Sequence, residues 1–169
     1  MLHLTMDRPL IQNGKVIDLT NERFSKIEGT MGLVYADIEL FNADYIGMAA
    51  RGFIKPEEVL SVKVRALADS GAYMLGINAR IAEQLDLRVL GEEIFIRANE
   101  QRQRLKIVGP IEVRFKNRRC TTDAVVLGEN TEVLLGSIVM EDLDVIIDPK
   151  RQELALPPDR PYLAEKYMK

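Results

Sequence analysis

The stretch Leu60-Ser61-Val62-Lys63-Val64-Arg65-Ala66-Leu67-Ala68-Asp69-Ser70-Gly71-Ala72 decides how this chain is read. Leu60, Val62, Val64, Ala66 and Ala68 alternate with Ser61, Lys63 and Arg65, the period-two pattern of a strand with one buried face. The strand runs straight into an acidic residue followed by a hydroxyl, a glycine and a small residue, an order that describes a carboxylate held at a tight turn. Asp, Ser and Gly are also ordinary turn formers, and a D-[ST]-G-[AS] tetrapeptide arises by chance in about 1% of chains this long. The tetrapeptide is therefore informative only through its surroundings.

Upstream, Val34, Ala36, Ile38 and Leu40 alternate with Tyr35, Asp37 and Glu39, which predicts a strand over residues 33 to 41. Residues 42 to 58, with Gly47, Gly52 and Pro56, read as a long connection holding a helical turn over Ala43 to Arg51. Downstream, Ile77, Ile81, Ala82 and Leu85 have helical spacing, predicting a short helix from Ile77 to Leu87 with Asn78 as its N-cap. Glu93 to Ala98 and Arg104 to Val108 flank the polar stretch Asn99 to Gln103 as a hairpin. Ile111 to Phe115 turns at Asn117 and returns through Thr121 to Leu127 as a second one. Val133 to Gly136 reads as a buried strand closed by glycine, Ser137 to Asp142 as a helical turn or two, and residues 144 to 148 pair with 152 to 156 across Pro149-Lys150. Nearer the start, apolar segments around Asn13-Gly14 predict a type I′ hairpin. Residues 1 to 30 are expected to form a separate N-terminal arm or hairpin, 31 to 157 one domain, and 158 to 169 a C-terminal tail.

Composition narrows the chemistry. The chain has 169 residues, 47% hydrophobic and 29% charged, and a formal net charge of −3, which supports one folded domain without a global positive field for nucleic acid or anionic lipid. One cysteine, Cys120, and one histidine, His3, exclude an internal disulfide and any Cys/His zinc cluster. They also remove most Ser-His and Cys-His nucleophile chemistry, leaving carboxylates, lysines and hydroxyls. No apolar run approaches the roughly 18 residues that span a bilayer, and the first residues lack a basic, apolar leader, so a soluble cytoplasmic protein is expected.

Three other groupings have plainer readings. From Arg97 to Arg119 there are eight basic residues against two acidic ones. They alternate with apolar residues on hairpin strands and have only Phe115 among them as an aromatic, so a solvated face outweighs a nucleic-acid surface. Glu141, Asp142, Asp144 and Asp148 lack the spacing of a Ca²⁺ loop and read as a cap-and-turn cluster; no metal is expected. Cys120 reads as a small buried hydrophobe rather than an activated thiolate.

About 65 residues after the DSGA turn comes Val133-Leu134-Leu135-Gly136-Ser137-Ile138-Val139-Met140, followed by Leu143-Asp144-Val145-Ile146-Ile147-Asp148-Pro149. With Gln84-Leu85-Asp86-Leu87, Val108-Gly109-Pro110-Ile111-Glu112-Val113 and Asp148-Pro149-Lys150-Arg151 in order between and after them, residues 31 to 157 resemble the retropepsin-like aspartic proteases, especially the small single-motif bacterial type. The resemblance implies an all-β, mainly antiparallel closed barrel with one or two short helices, assembled as a two-fold homodimer. It implies that Asp69 is the catalytic carboxylate, that Ser70 bonds across the dimer axis, that Gly71 and Ala72 complete the active-site loop, and that Leu134, Leu135 and Gly136 form a second loop. The flap over the substrate would be the hairpin from Ile94 to Ile107, with Ala98, Asn99, Glu100, Gln101 and Arg102 at its tip. That tip lacks the family's usual glycines, and Tyr73 stands where a small hydroxyl or acidic residue is frequent.

The implied activity is peptide-bond hydrolysis without a cofactor, on an extended peptide or protein substrate, with a second copy of the chain as partner. One carboxylate must be ionised and one protonated, a division that arises when two like charges share a proton; the aspartic-protease dyad is the standard example. A chain with one copy of the motif has to supply the second carboxylate from its twin. A catalytically silent dimeric module that binds peptides is the alternative, because a fold does not certify an activity.

Overall fold

The computed structural model describes residues 10–12, 15–17 and 32–168. The chain divides into two compact units, residues 1–33 and 34–169. In the first, β1 (Leu10–Gln12) pairs antiparallel with β2 (Lys15–Ile17), Ile11 opposite Val16. The expected turn at Asn13-Gly14 and the rest of the arm lie outside the described residues.

The second unit is a barrel. Its strands are β3 (Val34–Asn42), β4 (Ser61–Ala68), β5 (Leu75–Asn78), β6 (Arg88–Ile96), β7 (Arg102–Phe115), β8 (Arg118–Leu127) and β9 (Val133–Leu135). Hydrogen bonding runs β3-β4-β9-β5-β8-β7, and β7 pairs again with β3, which closes a six-stranded ring. The ring has no free edge; β6 hangs on β7 outside it. Most pairs are antiparallel, while β4/β9 and β5/β8 are parallel. A closed, mainly antiparallel all-β barrel is thus what the sequence led us to expect. A separate two-stranded ladder joins β10 (Ile146–Asp148) to β11 (Glu153–Ala155), as predicted across Pro149-Lys150.

Alternation fills the interior. Val34, Ala36, Ile38 and Leu40 of β3, Ala66 and Ala68 of β4, and Ile111, Val113 and Phe115 of β7 all point into one core with Leu75, Ile77 and Leu135. Three short α-helices lie around it, more than the one or two expected: α1 (Ala43–Ala50), α2 (Ala79–Gln84) and α3 (Ser137–Leu143). Helix α3 adds Val139, Met140 and Leu143 to the core. The turn expected over Ala43 to Arg51 is α1, capped by buried Asn42, whose side chain accepts from Tyr45 N at 3.2 Å and donates to Leu85 O at 2.8 Å.

Two element boundaries are also corrected. The helix predicted from Ile77 to Leu87 is only α2, because Ile77 pairs with Val126 in the parallel β5/β8 ladder. Asn78 still caps it, accepting from Ile81 N at 3.0 Å. Arg104 to Val108 and Ile111 to Phe115 are not parts of separate hairpins but one strand, β7, which carries a bulge at Gly109-Pro110. The bulge keeps Val108 and Ile111 both facing the core although they are three residues apart.

Residues 158 to 168 form neither strand nor helix and lie along the barrel. Arg160 donates to both carboxylate oxygens of Asp144, at 2.8 and 2.9 Å, and Glu165 N donates to the same group at 3.0 Å. Buried Arg118 donates to Arg160 O at 2.6 Å and stands 3.8 Å from Asp144. Asp144 closes α3 in the left-handed region, φ 52°. The Arg160 guanidinium holds its carboxyl below the usual aspartate range, outweighing the opposing effect of burial.

Candidate active site

Strands β4 and β5 are consecutive in sequence but not neighbours, because β9 lies between them, parallel to β4 and antiparallel to β5. The connection from Asp69 to Met74 therefore arches over the end of β9. Asp69 N donates to Leu135 O at 3.1 Å, continuing the Ala68–Leu135 register by one bond. Within the turn, Ala72 N donates to Asp69 O at 3.1 Å and Gly71 N donates to Asp69 Oδ1 at 2.9 Å. One carboxylate oxygen is thus held by its own loop, while among the described residues no hydrogen bond reaches Oδ2. A side chain at Gly71 would press on that carboxylate, its Cβ 3.1 Å from Oδ1.

The second predicted loop interlocks with the first. Ser137 N donates to Ala72 O at 2.8 Å, and Ile138 N to Tyr73 O at 3.4 Å. Gly136 packs directly on the Met74 main chain, an approach that only glycine permits. Asp69, Ser70, Gly71 and Ala72 are therefore brought together with Leu134, Leu135 and Gly136. Ser70 is exposed and lies at the rim of a groove of about 830 Å³, lined also by Thr121, Thr122, Ser137, Ile138 and Lys166; Asp69 is not in its lining.

The hairpin tip is not joined to this centre. Arg97 to Gln101, including Ala98, connect β6 and β7, and Arg102 opens β7. Arg97 N donates to Gln101 O and Glu100 N to Arg97 O, each at 2.9 Å, with Glu100 at φ 62°. The tip is exposed, as expected, but shorter than Asn99 to Gln103, since Arg102 and Gln103 already pair with Ile96 and Phe95. Among the described residues no hydrogen bond or ion pair links the tip to Asp69–Ala72.

Sequence reasoning missed two neighbours of the turn. Tyr73, 67% exposed, and Ile138, 42% exposed, are tied together by the Ile138 N–Tyr73 O bond, so the loops present apolar surface beside Ser70. In the sequence Tyr73 stands out only as a departure from a pattern; the pairing with Ile138 depends on β9 lying between β4 and β5, which no local pattern encodes.

Cys120 is buried and burial pushes its thiol up to about 12. Asp148 accepts from Lys150 N and Arg151 N, both at 3.0 Å, closing the turn before β11, and Asp142 pairs with Lys166. Of the basic run, Arg114 and Arg119 bind buried Glu112 and Arg118 serves the Asp144 cluster.

No protein-family model and no curated protein matches the chain. Among solved structures, it is similar to the retroviral protease-like domain of Ddi1 from Leishmania major at 17% identity, over 75% of this chain and 89% of that one, with a TM-score of 0.48. It is also similar to a retropepsin-like aspartic protease from Rickettsia conorii at 17% identity, over 69% of this chain and 77% of that one, with a TM-score of 0.43.

Proposed function

We propose that this chain is a homodimeric aspartic endopeptidase whose active site is assembled from two Asp69 carboxylates. The observation that carries the reading is the Asp69 turn itself: a carboxylate with one oxygen fixed by Gly71 N, the other unengaged, on a loop bonded to the end of β9. That arrangement presents a positioned carboxylate at a surface where an exposed Ser70 and the Tyr73–Ile138 pair await a neighbour. Two such turns meeting at a two-fold axis give a pair of carboxylates close enough to share one proton. The ionised member takes a proton from water as the hydroxyl adds to the scissile carbonyl carbon, and the protonated member gives its proton to the carbonyl oxygen. Collapse of the resulting gem-diol breaks the C–N bond, with a proton delivered to the leaving nitrogen.

A second reading, a silent peptide-binding dimer, is favoured by the flap tip, which has no glycine and no link to the Asp69 loop. The experiment that separates them is cleavage of an unfolded protein by wild type beside Asp69→Asn, with mass measured in solution. Cleavage lost in Asp69→Asn and a dimeric mass support the protease; peptide binding without turnover supports the module; a monomer that cleaves independently of Asp69 refutes both.

A further inference from the structure

The β6/β7 hairpin carries an unusual face. Side chains two residues apart on a strand share a face, so Lys106, Arg104 and Arg102 continue the side of β7 on which Val108 enters the core. Their partners across the ladder are Glu92, Ile94 and Ile96. Directly opposed residues also share a face, so three cations, two isoleucines exposed at 58% and 65%, and one carboxylate stand together. Glu92 is 3.8 Å from Arg104; among the described residues Arg102 and Lys106 have no ion-pair partner. Phe95 falls on the opposite face, so this one offers no aromatic on which a nucleic-acid base could stack.

We propose that this face selects extended peptides that carry carboxylates at alternate positions beside apolar side chains. Alternate cations along β7 are about 6.8 Å apart, the spacing at which alternate side chains of an extended peptide project, so two carboxylates meet two cations in register. Ile94 and Ile96, across the ladder from Arg104 and Arg102, supply apolar contact beside them. The proposal rests on the protease reading above, which makes the bound peptide a substrate.

The test uses the full chain and two peptides that share a central apolar pair and differ at two alternate flanking positions, Glu in one and Lys in the other. Wild type should cleave the Glu peptide with a kcat/KM about tenfold higher at low salt, and the ratio should shrink as salt screens the pairs. Arg104→Glu/Lys106→Glu should invert the ratio. Should that double variant not fold, Arg102→Gln and Lys106→Gln, made singly, should each lower the ratio about threefold. The same peptides carrying a fluorophore, titrated into Asp69→Asn, report the preference without turnover. Preferential binding of the Glu peptide with no cleavage by wild type sustains the selective face and sinks the protease reading. Cleavage with equal rates for the two peptides, or a ratio indifferent to every variant, overturns the selective face and leaves the protease standing. An oligo-dT strand that displaces the Glu peptide better than unlabelled Glu peptide does would make this a nucleic-acid surface and overturn the proposal.

Discussion

A Cβ atom placed on Gly136 would stand 2.3 Å from the main-chain oxygen of Met74, with that residue's carbonyl carbon and nitrogen both at 2.8 Å. Main chain cannot swing aside as a side-chain tip can, so Gly136→Ala must separate the two loops. It should destabilise the protein by about 3 kcal/mol and abolish whatever depends on the Asp69 turn. Gly128→Ala is the control, because its Cβ would meet Thr131 Oγ1 at an ordinary 3.4 Å. Urea unfolding of the two variants should differ in midpoint and agree in slope; equal midpoints would mean that the loops yield at Gly136.

Asp69→Asn keeps the size of the side chain and one oxygen to accept from Gly71 N, so it should fold with unchanged stability. Under the dyad mechanism it should also poison wild-type protein. With equal amounts and random exchange, about one quarter of dimers are wild type on both sides, so activity per wild-type chain should fall to about half. Activity per wild-type chain that is unchanged after verified exchange rules the paired mechanism out.

The Asp144 cluster should make stability fall in acid. Its carboxyl titrates below the ordinary aspartate value because Arg160 holds the charged form. A lowered folded-state value means the stabilisation is complete above the unfolded value of about 4 and is lost as pH falls through the folded one. Asp144→Asn should cost on the order of 2 to 3 kcal/mol at neutral pH, and the gap from wild type should narrow below about pH 4. Chemical denaturation across that range measures it; a gap independent of pH would show that the cluster contributes by shape alone.

Cys120 should be inert. With its thiol pushed up to about 12, the thiolate fraction near pH 8 is at least 100-fold below that of an unfolded chain. Alkylation should therefore track global unfolding, and rapid labelling of the native protein would contradict the buried position.

Amide exchange should grade along the β6/β7 hairpin. The tip at Asn99–Gln101 and the edge of β6 that no other described strand pairs with should exchange fastest, Val113 and Cys120 in the ring slowest. Slow exchange at the tip in the free protein would mean that the hairpin is pinned.

Alternation made most strands legible, and it placed Ala66, Ala68 and Val113 in the core correctly. Boundaries failed where one residue served two patterns. Ile77 has helical spacing with Ile81 but is claimed by the β5/β8 ladder, and Gly109-Pro110 reads as a break although the bulge carries β7 through it. The Asp69 turn and the Leu134–Gly136 segment were both visible as motifs, yet their interlock was not, because it depends on a strand from a distant part of the chain. The Arg160–Asp144 contact was equally hidden: opposite charges in sequence give no sign of which pairs will close.

The insertion of β9 between β4 and β5 also sets a timetable. During synthesis β4 and the DSGA turn emerge long before Leu135 and Ser137, and until those residues arrive Asp69 N and Ala72 O lack the bonds that shape the turn. Closing so long a loop is a late and slow event in folding. The carboxylate therefore reaches its final geometry only when nearly the whole barrel exists, and a nascent or truncated chain carries the DSGA residues without the site they form.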